Sequence, residues 1–403
     1  MHKHQKGLRL LFYPLYAVAA RVLSHVGVRF IDAPLWIFDR VGHLAIDFDS
    51  YLKDQLLSDR KVIPILLCAG RKPSNEALLA HWSQYIRIIR SRWIFWLLQP
   101  LMSFPKLVDS LLGYCSVMRG ASRTYEVHSR WLDREPLLRL SEVEIARGEA
   151  QLRVLGIPEG AWFVCVHSRE GGYSPVDEWA HSYRNANITD YTEAIRAIVA
   201  RGGWCVRVGD ATMRPLDSMP CVVDYARSSS KSDWMDVFLC ARCRFFLGNS
   251  SGLFGVAGIF GRASALANMA PLSSAYSPFP GDISIPKLLK DAQGRMLHLP
   301  DAFAGEASEL RLTPEFVERG LRQVDNTPQE IAELAIEMMN RLDGHVEDEP
   351  DDADLQARFR ALVQPHHYCW AASARIGRAF LRRHRVLLVS ADNPEPDRIE
   401  KAS

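Results

Sequence analysis

In two separate parts of this chain short apolar runs alternate with amphipathic stretches, and that alternation restricts the fold more than any other feature. Residues 33 to 57, "APLWIFDRVGHLAIDFDSYLKDQLL", predict a short strand through Phe38, a loop ending at Gly42 and an amphipathic helix. "KVIPILLCAG" predicts a second strand, and "SNEALLAHWSQYIRII" follows it with helical spacing. The pattern restarts with the strand "AWFVCVHSRE" (161 to 170), the helix "ITDYTEAIRAIVARGG", the strand "WCVRVGD", the helix "SDWMDVFLCA" and the strand "RFFLG". Strands that alternate with helices form a parallel sheet with helices on its faces. At 403 residues the chain exceeds what one core usually serves. The expected fold class is therefore α/β, with two Rossmann-like doubly wound domains facing a cleft and a C-terminal helical segment.

The domain boundaries follow from the same pattern. Residues 1–25 form an N-terminal amphipathic segment, 26–155 the first domain, 156–345 the second, and 346–403 an acidic loop and C-terminal helix. "SEVEIARGEAQLRVLGIPEG" is the connecting helix and turn, and "TPQE" at Thr327–Glu330 is a capping box with proline at the first helical position. The final segment, Asp354 to about Leu388, is expected to pack on the first domain.

Composition excludes some functions. The 49 basic and 47 acidic residues leave a net charge of +2, which argues against a nucleic-acid partner and makes any anion site a local one. The eight cysteines sit in apolar runs such as "ILLCAG" and "FVCVHSR", which fits buried thiols in a reducing, cytoplasmic compartment. Cys240 and Cys243 form a C-x-x-C with no second pair at zinc-site spacing, so no metal is expected there. The N-terminal "MHKHQKGLRLLFYPLYAVAARVLSHV" has a basic start, but Pro14 and Arg21 interrupt its apolar run well short of a membrane span. It lies either on a membrane surface or against the protein.

In open α/β sheets, ligands bind beyond the carboxyl ends of the strands. In the second domain those positions hold His167, Ser168, Arg169 and Glu170, then Arg207, Gly209 and Asp210, then Asn249, Ser250, Ser251 and Gly252. The last group marks a strand-to-helix corner and is either a phosphate site or an ordinary N-cap. Two arginines and a histidine at neighbouring strand ends suit a diphosphate, which guanidinium groups bind bidentately. Within "HSYRNANITDY", Tyr183, Arg184 and Asn185 either reach a sugar or base, or belong to a surface loop. There is no G-x-G-x-x-G after a strand and no P-loop.

The His-x-Arg strand end, "YRNANITDY", "VRVGD" and "FFLGNSSGLFGVAGIFG" together resemble a family of bacterial glycosyltransferases of the two-domain GT-B type. More distantly, "HSR" is similar to the His-x-Arg motif of fucosyltransferase-like GT-B enzymes, although this chain has Glu170 where those motifs carry a second arginine. The resemblance implies a nucleotide-sugar donor in the second domain, with His167 and Arg169 near the diphosphate and Asn249 to Gly252 at phosphate or ribose. It implies transfer to a surface-glycan, lipid-linked or protein acceptor.

The first domain would then hold the catalytic base. "RVGHLAID" places His43 after a glycine at a helix start, similar to a glycine-histidine loop of GT-B transferases with lipid-linked acceptors. His43 is the first candidate base, with Asp49, Asp47 and Glu170 behind it; alternatively His43 caps the helix and the acids favour its dipole. The "DFD" spelling at 47 to 49 falls in the helix start rather than after a strand, so neither a divalent metal nor another cofactor is required. The rival functions are a nucleotide-sugar epimerase and a non-catalytic glycan-binding or partner subunit. Finally, "RIIRSRWIFWLLQPLMSF" (87 to 104) joins three arginines to a tryptophan-rich patch, and is either a peripheral contact with the inner face of the cytoplasmic membrane or a buried helix.

Overall fold

The computed structural model describes most residues from 14 to 390. Residues 1–13, 103–114, 118–119, 346–348 and 391–403, with positions 16–17, 19–21, 24, 34, 60 and 133, lie outside the described residues. The basic start of the N-terminal segment is therefore among the residues left undescribed. The chain divides into two compact units, Met1–Trp131 and Leu132–Ser403. Both are α/β with wholly parallel main sheets, as the alternation predicts.

In the first unit the elements are β1 (Val28–Asp32), α1 (Leu35–Phe38), α2 (Val41–Leu57), β2 (Ile63–Leu67), α3 (Glu76–Trp82), β3 (Arg87–Ile89), α4 (Arg92–Met102), β4 (Cys115–Ser116) and α5 (Ala121–Ser129). The strand order is β3-β2-β1-β4, so the chain builds outward from β1 in one direction and then returns to its other side. Two local expectations are corrected here. The strand expected through Phe38 is the single helical turn α1, and the true strand is the preceding "VRFID". Short apolar runs fit either state, and "VRFID" supplies the β-branched and aromatic residues that a strand prefers. Likewise the helix expected to run through "YIRII" stops at Trp82, and Arg87–Ile89 forms the edge strand beside β2. Trp82 is fully buried and its indole N–H donates to the Leu44 carbonyl at 2.9 Å, fastening α3 to α2.

The second unit opens with α6 (Glu142–Val154), then β5 (Phe163–Val166), α7 (Pro175–His181), α8 (Thr192–Ala200), β6 (Trp204–Arg207), β7 (Val222–Val223), α9 (Asp233–Arg242), β8 (Phe246–Gly248), α10 (Leu253–Ile259) and β9 (Ser264–Met269). It closes with β10 (Ile283–Pro286), β11 (Leu288–Lys290), α11 (Leu299–Ala304), α12 (Thr313–Glu318), β12 (Arg322–Val324), α13 (Pro328–Leu342), α14 (Asp352–Leu362), β13 (Arg375–Ile376) and α15 (Arg378–Arg383). The seven-stranded sheet has the order β13-β10-β9-β8-β5-β6-β7. Its inner strands β5, β8 and β9 are buried throughout, as continuous apolar runs must be when helices cover both faces.

The capping boxes at Ser141–Glu144 and Thr327–Glu330 both form, with serine or threonine accepting the backbone N–H and glutamate accepting in return. The C-terminal segment corrects another expectation. It belongs to the second unit, where β13 pairs with β10 and α15 packs on α13.

Close approach of α6 to α9 depends on one missing side chain. A Cβ on Gly148 would lie 1.9 Å from the ring of Phe238. Because that ring is fully buried it has little room to move. Gly148→Ala should destabilise the protein by about 1 to 3 kcal/mol, the usual scale of overpacking, read from urea unfolding midpoints. A midpoint at or above that of the wild type would show that the two helices separate freely.

Candidate functional site

Written in chain order, the second sheet runs 3-2-1-4-5-6-7, and its direction of growth reverses between β5 and β8. At such a switch point the loops after the two central strands diverge to opposite faces and leave a crevice at the carboxyl edge. Register sets the two loops side by side. Val166 lies opposite Leu247, and the His167 backbone N–H donates to the Leu247 carbonyl at 2.9 Å.

Asn249, wholly buried, joins the loops. Its Oδ1 accepts the Arg169 backbone N–H at 3.0 Å, and its Nδ2 donates to the Arg184 carbonyl at 3.0 Å. Arg184 answers by donating Nε and Nη2 to the Ser250 carbonyl at 3.1 and 2.6 Å. The "HSYRNAN" segment is therefore laced to both strand ends. Further bonds run from Ser168 Oγ to the Ala186 carbonyl (2.7 Å) and from the Ala186 N–H to the Arg169 carbonyl (3.0 Å). Tyr183 packs on Phe316 of α12 with ring centroids 5.5 Å apart, and its backbone N–H donates to Thr313 Oγ1.

The cations in this region have different positions. Arg169 is 19% exposed; its guanidinium donates to the His181 carbonyl (3.1 Å) and to Asn185 Oδ1, with Glu178 at 3.7 Å. Arg207 is 0% exposed, 3.1 Å from Asp224 and 3.8 Å from Glu170, with Nε and Nη2 making no hydrogen bond among the described residues. It lies inside the protein wall, holding the Glu170 loop. Glu170 is itself engaged, accepting the Arg214 N–H at 2.7 Å. Asp210 Oδ1 accepts from the Thr212 N–H at 2.9 Å, a turn within its own loop. Gly209 has φ +147°, and a Cβ there would meet Met213 Sδ at 2.3 Å, so the turn after β6 requires glycine.

Burial fixes His167 in its neutral form. The ring is 4% exposed and Nδ1 donates to the Val208 carbonyl at 3.0 Å, which leaves Nε2 as an acceptor. Its pKa is pulled from 6.5 to about 4, mainly by burial and further by Arg207. At the corner, Ser250 Oγ donates to the Ala270 carbonyl at 3.1 Å, while Ser251, 7% exposed, keeps a buried Oγ with no hydrogen-bond partner among the described residues.

One residue outside the expected set joins this site. Lys287, directly after β10, donates Nζ to the Asn185 carbonyl at 2.6 Å and pairs with Asp325 at 2.7 Å. Burial lowers its pKa, and Asp325 opposes that shift. Lys287 also lines a small cleft with Ala270, Pro271, Leu272, Leu289 and Phe316. An apolar run ended by a lysine, "ISIPK", is the signal that would have found it.

In the first unit, His43 is the third residue of α2 and is 37% exposed, with Nδ1 3.0 Å from Asp47 Oδ2 one turn along. Asp49 has a different setting. Fully buried, it lies 2.7 Å from Lys53 Nζ and 2.9 Å from His128 Nε2, joining α2 to α5. Burial alone would raise its pKa, but Lys53 and His128 more than offset this and hold it below the usual carboxylate range.

Glu309, His366 and His367 have side-chain atoms within 4.8 Å of one another, the spacing of a metal site. Yet His367 Nδ1 accepts the Gln364 N–H at 2.8 Å, so its proton sits on Nε2, which lies 3.0 Å from Ser308 Oγ. With both ring nitrogens committed, His367 does not fit a metal ligand.

No protein-family model matches the sequence, and no curated protein matches it. Among solved structures it is similar to a glycosyl transferase family 9 protein from Veillonella parvula, at 8% identity and TM-score 0.37, over 59% of this chain and 79% of that one. It is also similar to the iron-containing dodecameric glycosyltransferase TibC from enterotoxigenic E. coli (14% identity, TM-score 0.34, 64% and 61% of the two chains). A third is E. coli ADP-heptose lps heptosyltransferase II (14%, TM-score 0.35, 59% and 83%). All three are named as glycosyltransferases, but likenesses with TM-scores below 0.5 define no activity for this chain.

The buried His167 has a measurable consequence. The unfolded chain protonates this residue near pH 6.5 and the folded chain only near 4, so its contribution to stability declines as pH falls through that window. Replacing it with glutamine should flatten the pH dependence of unfolding free energy between pH 6.5 and 4, by roughly 3 kcal/mol in the comparison with wild type. Parallel profiles for the two proteins would show that His167 already titrates normally in the fold.

Proposed function

We propose that this chain is a glycosyltransferase that binds a nucleoside-diphosphate sugar at the carboxyl edge of its second sheet. The observation that carries the reading is the switch point between β5 and β8, where Asn249 locks three loops together around Arg169, His167 and the unpartnered Ser251 hydroxyl. The diphosphate is assigned to Arg169 and the Asn249 to Gly252 corner. Tyr183, Arg184 and Asn185 shape its flank, with Lys287 holding Asn185 in place. A wall of fixed donors can stabilise the charge that develops on the departing nucleoside diphosphate, so the reading requires no metal.

His43 is assigned the base. An aspartate accepting from Nδ1 leaves Nε2 to take the acceptor hydroxyl proton, and Asp47 is in place to do this. The hydroxyl oxygen then forms a bond to the anomeric carbon, and the bond from that carbon to the diphosphate oxygen breaks with its electrons leaving on the diphosphate. Asp49 is given a structural role because it is sealed between Lys53 and His128. Glu170, 3.8 Å from Arg207 and accepting from the Arg214 N–H, is likewise given a structural role rather than that of the base. The same pairing puts a negative charge where fucosyltransferase-like motifs carry a second arginine, so GDP-fucose is not the donor class favoured.

Arg169→Ala should weaken nucleoside diphosphate binding by about 1.5 to 3 kcal/mol, the scale of a charged hydrogen bond, in calorimetry with a panel of nucleotides. Unchanged affinity would remove the diphosphate from this site. His43→Ala should lower turnover by roughly 10² to 10⁴ while leaving nucleotide affinity unchanged, because binding and proton transfer are assigned to different residues. Normal turnover in that variant would take the base assignment away from His43, and absence of turnover in the wild type with every donor and acceptor tried would favour a binding subunit.

A further inference from the structure

Helix α4 leaves the edge strand β3 at the carboxyl end of the first sheet and turns an apolar stripe to solvent. Trp93 is 87% exposed, Trp96 55% and Leu97 62%. These positions are i, i+3 and i+4, one face of the helix, and Ile94 beside them is 42% exposed. Single exposed apolar residues are ordinary, but two tryptophans and a leucine on one helical face need an explanation.

The surrounding charge says what covers this face. From Ala77 to Val108 the sequence contains no acidic residue, while Arg87 and Arg92 are exposed next to the stripe and Arg90 is paired with Glu76 at 2.7 Å. Basic residues beside exposed tryptophans match the interface of an anionic bilayer, where indole rings sit at headgroup level and guanidinium groups meet lipid phosphates. Length decides the mode. Eleven residues of helix extend roughly 16 Å, about half the hydrocarbon thickness, and no helix among the described residues is long and apolar enough to cross a membrane.

We propose that α4 is an in-plane membrane anchor, with Trp93, Trp96 and Leu97 entering the interface of an anionic phospholipid bilayer and Arg87 and Arg92 holding its headgroups. It is independent of the transferase reading, since lipid binding needs neither donor nor acceptor.

The test uses the full chain and extruded vesicles of phosphatidylcholine alone or with about one third phosphatidylglycerol. Wild-type protein should co-sediment with the anionic vesicles roughly tenfold more than with the neutral ones, and less as salt is raised. Trp93→Ser with Trp96→Ser should reduce binding at least about tenfold with the unfolding midpoint unchanged, and Arg87→Gln with Arg92→Gln should abolish the preference for anionic lipid. Protein that stays in the supernatant with anionic vesicles at low salt overturns the proposal, as does a tryptophan variant that binds like wild type. If instead the wild type is a dimer by ultracentrifugation, the tryptophan variant a monomer, and neither binds vesicles, the face joins two copies of the chain.

Discussion

The second unit's site depends on one buried side-chain amide. The Asn249 side chain bonds both the loop after β5 and the crossover segment around Arg184, and it uses opposite ends of its amide to do so. No carboxylate could replace it, because one of its two partners is a donor and the other an acceptor. Deleting it would leave an N–H and a carbonyl unpaired where water has little access, at a cost of about 1 to 3 kcal/mol for each group. A neutral group thus fixes the backbone at Arg169 and Arg184, while the Arg169 guanidinium itself is held by the His181 carbonyl, Asn185 and Glu178.

Buried charge elsewhere serves a different purpose. Asp49 with Lys53 and His128 in the first unit is wholly enclosed, and in the second a buried Arg207 meets the partly exposed Asp224 and Glu170; each cluster joins segments apart in sequence. Such clusters add little net stability, since desolvation offsets most of the attraction, but removing one partner strands the other in the protein interior. Their effect here is to fix α2 against α5 and the Glu170 loop against β6. Asp282 illustrates the cost of burial without a cation. Held by Ser277 and the Ser264 N–H, its carboxyl is pushed up to about 7, opposite in sign to the neighbourly lowering at Asp49.

The parallel sheets and the strand-end residues His167, Arg169 and Asn249 are legible in the sequence because an apolar run that breaks into polar residues marks where a buried strand surfaces. What the run does not reveal is which way its last side chain points. Arg207 looks as suited to a ligand as Arg169, and only the covered face of β6 shows that it is walled in. Asp49 and His43, six residues apart on one helix, differ for the same reason: α5 covers one and not the other. The stripe on α4 has the same periodicity whether a helix is buried or exposed, so its orientation waits for three dimensions. The misplaced first strand, "APLWIF" in place of "VRFID", reflects two adjacent apolar runs of similar strength, of which the sheet takes the one with β-branched residues.

The sheet order also sets a schedule for synthesis. Arg169 and Asn249, which close the switch point, stand 80 positions apart in the chain. At the usual 5 to 20 residues per second, β5 leaves the ribosome roughly 4 to 16 s before β8 exists to cover its open edge. By the second half of that interval "FVCV" has β6 on one side and nothing of its own sheet on the other. Lys287 and Asp325 arrive later still. The nascent chain therefore carries the open edge of β5 until β8 emerges, and the loops at the switch point cannot be joined before Asn249 arrives 80 positions after Arg169.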